Sequence, residues 1–292
     1  MIYGARNISE LYMPHATPLI RFGVIADPQY APLPPNLALN RYFANSLDKL
    51  DDAIATFNAQ DLAFAVTLGD LIDRGYDNFD AVLARYTLLR HEKILLPGNH
   101  DFLVAPERLS QVHEKFSMPA AYHHFSRNGI RFVVIDGNEE SLFSTPEGDP
   151  RRDRAAGRLK ALTRAAAVNA QSWNGGVSEQ QFAWLSRVLA EAAAAGEKVV
   201  VMGHYPLYPE NEHNLWDWQR LVDLFERSGN VLAYLNGHNH AGNLGRHGST
   251  WYVNFKGMVD TERENAFALA EVFADRLVIT GFGREEGRVL PF

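Results

Sequence analysis

The sequence predicts an α/β fold, and three observations carry it. Five short apolar runs each end in Gly, Asp, Asn or His. Strand-like and helix-like periodicities alternate through the first part of the chain. A hydrophobic content of 46% over 292 residues is enough to bury a substantial core, read here as one domain over residues 21–292.

The five runs are the frame. Residues 22–26 lead into Asp27-Pro28-Gln29, residues 63–68 into Gly69-Asp70-Leu71-Ile72-Asp73, and residues 93–96 into Pro97-Gly98-Asn99-His100-Asp101. Residues 198–202 lead into Gly203-His204, and residues 231–235 into Asn236-Gly237-His238-Asn239-His240. Ligands of open α/β sheets collect outside the carboxyl ends of strands, so the five ends are expected to share one site. Glycine beside most of these residues is expected to let the backbone turn tightly.

In chain order, residues 1–20 read as a loosely ordered lead-in: Arg6, Glu10, His15 and two prolines interrupt any apolar core of a signal peptide. A strand follows at 21–26, then a Pro-rich loop at 31–35 that cannot be regular structure. Phe43, Leu47, Leu50, Ile54 and Phe57 recur at helical spacing and predict an amphipathic helix within 39–58. After the strand into Asp70 come a helix near 79–91, the strand into Asn99 and a helix near 106–116. Strands at 122–126 and 130–136 flank Asn128-Gly129, a hairpin-turn signal.

Residues 141–175 break the register as an insertion. Within them, 149–167 carries Arg151, Arg152, Arg154, Arg158, Lys160 and Arg164 among alanines. A lid or an arm for an acidic partner is one reading; a solvated helix or an oligomer contact is the favoured one. Ser178 caps a helix carrying Phe182, Trp184, Leu185, Val188 and Leu189. Strands at 251–255, 266–273 and 276–280, with no helix between them, predict a second, more antiparallel sheet.

Twenty-eight Lys and Arg against 35 Asp and Glu give a net charge of −7, which offers no general attraction to nucleic acid or an anionic membrane. No apolar run is long enough to span a bilayer, and a cytoplasmic protein is expected. With no cysteine, any metal must sit in nitrogen and oxygen ligands. Asp27, Asp70, Asn99, His204, His238 and His240 are such ligands, each at a strand end. Singly each is an ordinary turn residue; together they point to a metal site.

These blocks resemble the calcineurin-like metallophosphoesterases, whose pattern runs Asp-x-His, Gly-Asp-x-x-Asp, Gly-Asn-His-Asp/Glu, a lone His and Gly-His-x-His. The resemblance implies a four-layer α/β/β/α sandwich of two mixed sheets flanked by helices. It implies two divalent cations, one on Asp27, Gln29, Asp70 and His240, the other on Asp70, Asn99, His204 and His238, with Asp70 as the bridge. Two ions about 3.5–4 Å apart activate a bridging water and neutralise charge in an in-line displacement. His100, beside the ligand Asn99, is expected to assist the leaving group, with Asp101 orienting it and raising its pKa. Asp73 is expected to tie down its own turn.

Gln29 stands where most of the family has His, a harder donor that favours Mn²⁺ or Mg²⁺ over zinc, though Fe or Zn is possible. The opening Val24-Ile25-Ala26-Asp27-Pro28-Gln29-Tyr30-Ala31 is similar to a subgroup with Gln there, the Mn²⁺-dependent ADP-ribose/CDP-alcohol diphosphatases. Trp173-Asn174-Gly175-Gly176-Val177-Ser178, His204-Tyr205-Pro206-Leu207-Tyr208-Pro209 and the tail from Val253 to Arg284 extend the likeness. It implies cleavage of the pyrophosphate of a small nucleoside diphosphate-X substrate. Tyr30, Arg41, Tyr208, Leu215 and Trp216 are candidates to contact it; for Trp216 and Trp218, packing of the loop onto its own domain weighs as much. A phosphomonoesterase or cyclic-nucleotide phosphodiesterase would share the same core. A non-catalytic scaffold is the reading from another class, and a nuclease is disfavoured by the charge.

Overall fold

The computed structural model describes residues 17–292, so most of the expected lead-in lies outside the described residues. In chain order the elements are β1 (Ile20–Ile25), α1 (Ser46–Asn58), β2 (Phe64–Leu68), α2 (Asn78–Tyr86), β3 (Glu92–Leu96), α3 (Val112–Lys115), β4 (His123–Arg127) and β5 (Ile130–Val134). Then follow α4 (Pro150–Arg164), α5 (Glu179–Ala194), β6 (Lys198–Met202), α6 (Trp218–Ser228), β7 (Val231–Asn236), β8 (Asn243–His247), β9 (Thr250–Asn254), β10 (Ala266–Val272), β11 (Arg276–Gly283) and β12 (Arg288–Pro291).

Two six-stranded mixed sheets result, ordered β12-β11-β10-β1-β2-β3 and β4-β5-β6-β7-β9-β8. β1, β2 and β3 are mutually parallel, as are β5, β6, β7 and β9. Side chains alternate along a strand, and that alternation sorts the core into layers. Phe64, Val66 and Leu68 of β2 meet Phe22 and Val24 of β1 and Phe132, Val200 and Leu235 of the other sheet in the space between the sheets. Phe22, Phe64 and Phe132 pack there at ring separations of 4.9 to 5.5 Å.

Residues pointing the other way meet helices. Ala65 and Leu95 pack against Leu50, Ile54 and Phe57 of α1 and Phe79 and Val82 of α2. Val199 and Val201 pack against Leu185, Val188 and Leu189 of α5 and Leu221 and Phe225 of α6. The layers are therefore helix, sheet, sheet, helix, as the resemblance implied.

The tail departs from expectation. Its strands form no sheet of their own: β10, β11 and β12 extend the first sheet antiparallel from β1, while β8 and β9 extend the second. The helix expected near 106–116 is a 3₁₀ run, Pro106–Gln111, and the single turn α3. α6 has no counterpart among the expected helices, although Leu221, Val222 and Phe225 share one face and Gly229 ends it at φ 66°. β8 is polar and half exposed, an edge strand with no apolar alternation to announce it. The hairpin stands, with Asn128 at φ 52° and Gly129 at φ 78° between β4 and β5.

The basic segment forms α4, capped by the Asp149 side chain, which accepts from the Arg151 amide at 2.8 Å. It is no free arm. Arg158 bonds Glu140 at 2.5 Å and also Asp217, and Arg154 reaches Glu140 at 3.2 Å.

Candidate metal centre

The carboxyl ends of the five strands open onto one place. Backbone bonds stitch their turns together: Gln29 N donates to Asp70 O at 2.7 Å, Asp73 N to Tyr30 O at 3.0 Å, and Gly237 N to His204 O at 3.0 Å. The sharp bends are not taken mainly by glycine. Asp27, Gln29, Asp70 and His238 themselves sit at φ 50°, 44°, 54° and 70°. Asp and His tolerate that region better than most residues, but the cost is real and is concentrated at the expected ligands. Gly69 shares it at φ +98°, whereas Gly98 has another use: a Cβ there would fall onto Asp70 Oδ1 and within 2.6 Å of the His204 ring.

Asp70 Oδ2 is the centre of the arrangement. Gln29 Nε2 lies 2.9 Å from it and 3.2 Å from His240 Nε2, while His240 Nε2 lies 3.8 Å from Asp27 Oδ1. From the other side, His204 Nε2 lies 3.4 Å from Asp70 Oδ2 and 3.2 Å from Asn99 Oδ1. Asp70, His204 and His238 each bring one donor atom within 4.8 Å of the others. All seven expected ligands are buried.

Burial sets the charge balance. It pushes the Asp27 carboxyl up to about 6, helped by Asp70 and opposed by His240 and His204. At Asp70 burial pulls the same way, but the charges of His204 and His100 win and hold it well below the usual carboxylate range. Two buried carboxylates facing imidazoles call for cations. The chemistry of the donors fits hard divalent ions: oxygen and imidazole nitrogen, no thiolate. Gln29 Oε1 is buried with no hydrogen-bond partner. Turning that amide over would place oxygen between Asp70 Oδ2 and His240 Nε2, three atoms of the kind that ligate a divalent cation.

His100 stands at the edge. Its amide donates to Asp70 Oδ1 at 2.9 Å, and its Nδ1 lies 3.1 Å from Asp73 Oδ1 and 3.2 Å from the Asp73 carbonyl. The carboxylate beside the imidazole is thus Asp73, not Asp101. Asp101 points back instead, accepting from Gly98 N at 2.9 Å and Ile72 N at 3.0 Å, and so fastens the third turn to the second. Burial and Asp70 push the Asp101 carboxyl up to about 8. Burial would lower the His100 pKa, yet Asp70 and Asp73 outweigh it and the net shift is upward.

A cavity of about 260 Å³ opens over this cluster, lined by Gln29, Arg41, Asp70, Asn99, His100, Trp173, His213, His238 and His240. Of the expected substrate contacts, Arg41 is there. Leu215 and Trp216 are not: Leu215 is buried in the helical layer of the second sheet, and Trp216 is buried with its Nε1 donating to Gln171 O at 3.3 Å. Burying two large apolar side chains outweighs offering them to a ligand. Tyr208 packs on Tyr252 and His247, and Tyr30 pairs by its backbone with Ile72. Trp173, named above only within a motif of the resemblance, and His213 are the cavity residues absent from the expected substrate contacts. Trp173, 40% exposed in a polar Trp-Asn-Gly-Gly stretch, was the legible sign, since no apolar periodicity surrounds it.

The sandwich and the strand-end cluster define a phosphoesterase of the dimetal kind, and the comparisons agree. The chain belongs to the calcineurin-like phosphoesterase family, whose model matches residues 20–242. It is similar to the manganese-dependent ADP-ribose/CDP-alcohol diphosphatase of Mus musculus, 27% identical over 94% of each chain. The Arabidopsis thaliana protein of that name is 29% identical, covering 91% of this chain and 95% of its own. Among solved structures, a dimetal phosphatase from Danio rerio superposes with a TM-score of 0.84 at 26% identity, covering 94% of this chain and all of that one. Among the described residues no helix is long and apolar enough to cross a membrane.

Proposed function

We propose that this protein is a Mn²⁺-dependent phosphohydrolase that cleaves the pyrophosphate linkage of nucleoside diphosphate-X compounds such as ADP-ribose or CDP-alcohols. The observation that carries the reading is the convergence of two donor sets on Asp70 Oδ2 beneath a cavity walled by His100, Arg41 and Trp173. Asp27, Gln29, Asp70 and His240 would hold one ion, and Asp70, Asn99, His204 and His238 the other. Two such ions supply a water of lowered pKa and neutralise charge during in-line displacement at phosphorus.

The chain's own work is placement and proton delivery. With Nδ1 engaged by Asp73, His100 keeps Nε2 for the cavity and holds a proton there for the departing oxygen. Arg41 offers a guanidinium, suited to the second phosphate of a pyrophosphate. The Trp173 face offers a surface on which a base can stack. A monoester has no second phosphate for Arg41 to hold.

The test is a side-by-side comparison of ADP-ribose, CDP-choline, cyclic AMP, AMP and p-nitrophenyl phosphate with purified protein and Mn²⁺. AMP released from ADP-ribose, or CMP from CDP-choline, at the highest kcat/KM supports the reading. Preference for monoesters or cyclic AMP would leave only the dimetal core standing.

A further inference from the structure

Each histidine at the centre has two ring nitrogens, and in a neutral ring one donates while the other keeps a lone pair. His204 Nδ1 lies 2.8 Å from the Leu68 carbonyl, and His240 Nδ1 lies 2.9 Å from Asp260 Oδ1. Both partners only accept, so both rings carry hydrogen on Nδ1 and present Nε2 inward. His238 is the reverse. Its Nε2 lies 3.0 Å from Asn174 Oδ1.

The orientation of the Asn174 amide is fixed independently. Its Nδ2 donates to Glu212 O at 2.7 Å and Asn169 O at 3.2 Å, two carbonyls that can only accept. The end facing His238 is therefore oxygen, and His238 must carry its hydrogen on Nε2. Asn174 is fully buried, so no bulk water can replace it. We infer that Asn174 is a positioning residue: its side-chain oxygen fixes His238 as the Nε2–H tautomer and commits Nδ1 to the ion shared with Asp70 and His204. The same amide ties the metal centre to the cavity wall, because Trp173 precedes Asn174 and His213 follows Glu212.

This inference rests on the metal assignment proposed above. The experiment uses the full chain, ¹⁵N-labelled at histidine and freed of metal by chelation. Long-range ¹H–¹⁵N correlation should show His238 as the Nε2–H tautomer, and Asn174→Leu should turn it into a mixture. Mn²⁺ titration followed by electron paramagnetic resonance should show one site of the Asn174→Leu protein weakened by roughly ten- to a hundredfold and the other unchanged. Asn174→Asp keeps an acceptor toward Nε2 and should keep the tautomer, even though its two donor bonds are gone. An Nδ1–H tautomer in the native chain overturns the inference, as do wild-type affinities at both sites in Asn174→Leu. Should Asn174→Leu fail to fold, the native tautomer and Asn174→Asp decide. A native chain that binds no Mn²⁺ sinks the metal reading itself. One that binds two ions and cleaves ADP-ribose, beside an Asn174→Leu protein that binds both normally, removes Asn174 alone.

Discussion

The strand-end turns and the walls of the cavity are built differently. Asp27, Asp70, Asn99, His204 and His238 each follow closely on a strand that is paired on both sides or on a sheet's parallel edge, and their turns are bonded backbone to backbone. Arg41, Trp173 and His213 ride on connections. Arg41 is held in a small loop by reciprocal bonds with Asn36, Trp173 precedes the Glu140–Gly176 bridge, and His213 N donates to Asn211 Oδ1 at 2.9 Å. Rigid elements fix reactive groups to a fraction of an ångström, while loops can change without disturbing them. In the proposed function the chemistry would belong to the first region and the choice of substrate to the second.

The largest effect should come from the first region. Asp70→Asn removes a full charge from the atom on which both donor sets converge, so metal content and activity on every substrate should vanish together. Metal analysis beside turnover checks this, and a variant still holding two ions would refute the bridge. His100→Ala should leave metal content near normal and cut turnover by about a hundredfold or more on all substrates. A fall confined to one substrate would move His100 into the second region.

Asp73→Asn should act more gently, through the pH dependence. In the proposed function His100 must be protonated to serve the leaving group, and Asp73 supports that form. With cations on Asp70, the support from that carboxylate is cancelled and Asp73 carries the remainder. Removing its charge lowers the His100 pKa, so the alkaline limb of the kcat profile should move to lower pH. An unmoved limb would detach Asp73 from the acid.

The two regions also differ in how far the sequence discloses them. Strand-end chemistry is legible because an apolar run followed by Gly-Asp or Gly-Asn-His restricts both the place and the residue type. The sequence nonetheless misassigned the partner of His100, since adjacency to Asp101 says nothing of which way either side chain points. Asp73 reaches His100 from another turn, through a fold that no local spacing encodes. On the walls the ambiguity is thermodynamic: an apolar residue in a loop, such as Leu215 or Trp216, can fill the core or face a ligand, and burial won. The tail strands could be counted but not allotted to a sheet, because antiparallel strands pair with whichever edge the rest of the chain leaves open.

Trp173 sharpens the comparison at its smallest expected effect. It lies on the cavity wall, contributes no donor to the metals, and remains 40% exposed where a core tryptophan would be covered. In the proposed function its face would serve a substrate with a base or another aromatic ring. A partly exposed stack sits toward the lower end of the ~1–3 kcal/mol that base–aromatic contacts supply, or about tenfold in affinity. Trp173→Ala should therefore raise KM for ADP-ribose about tenfold, leave kcat nearly unchanged and leave hydrolysis of a phosphate ester without an aromatic ring, such as glycerol phosphate, untouched. Equal losses on both substrates would mean that the loop through Asn174 and Gly175 had shifted the metal centre, and that the walls are less separable from the chemistry than their construction implies.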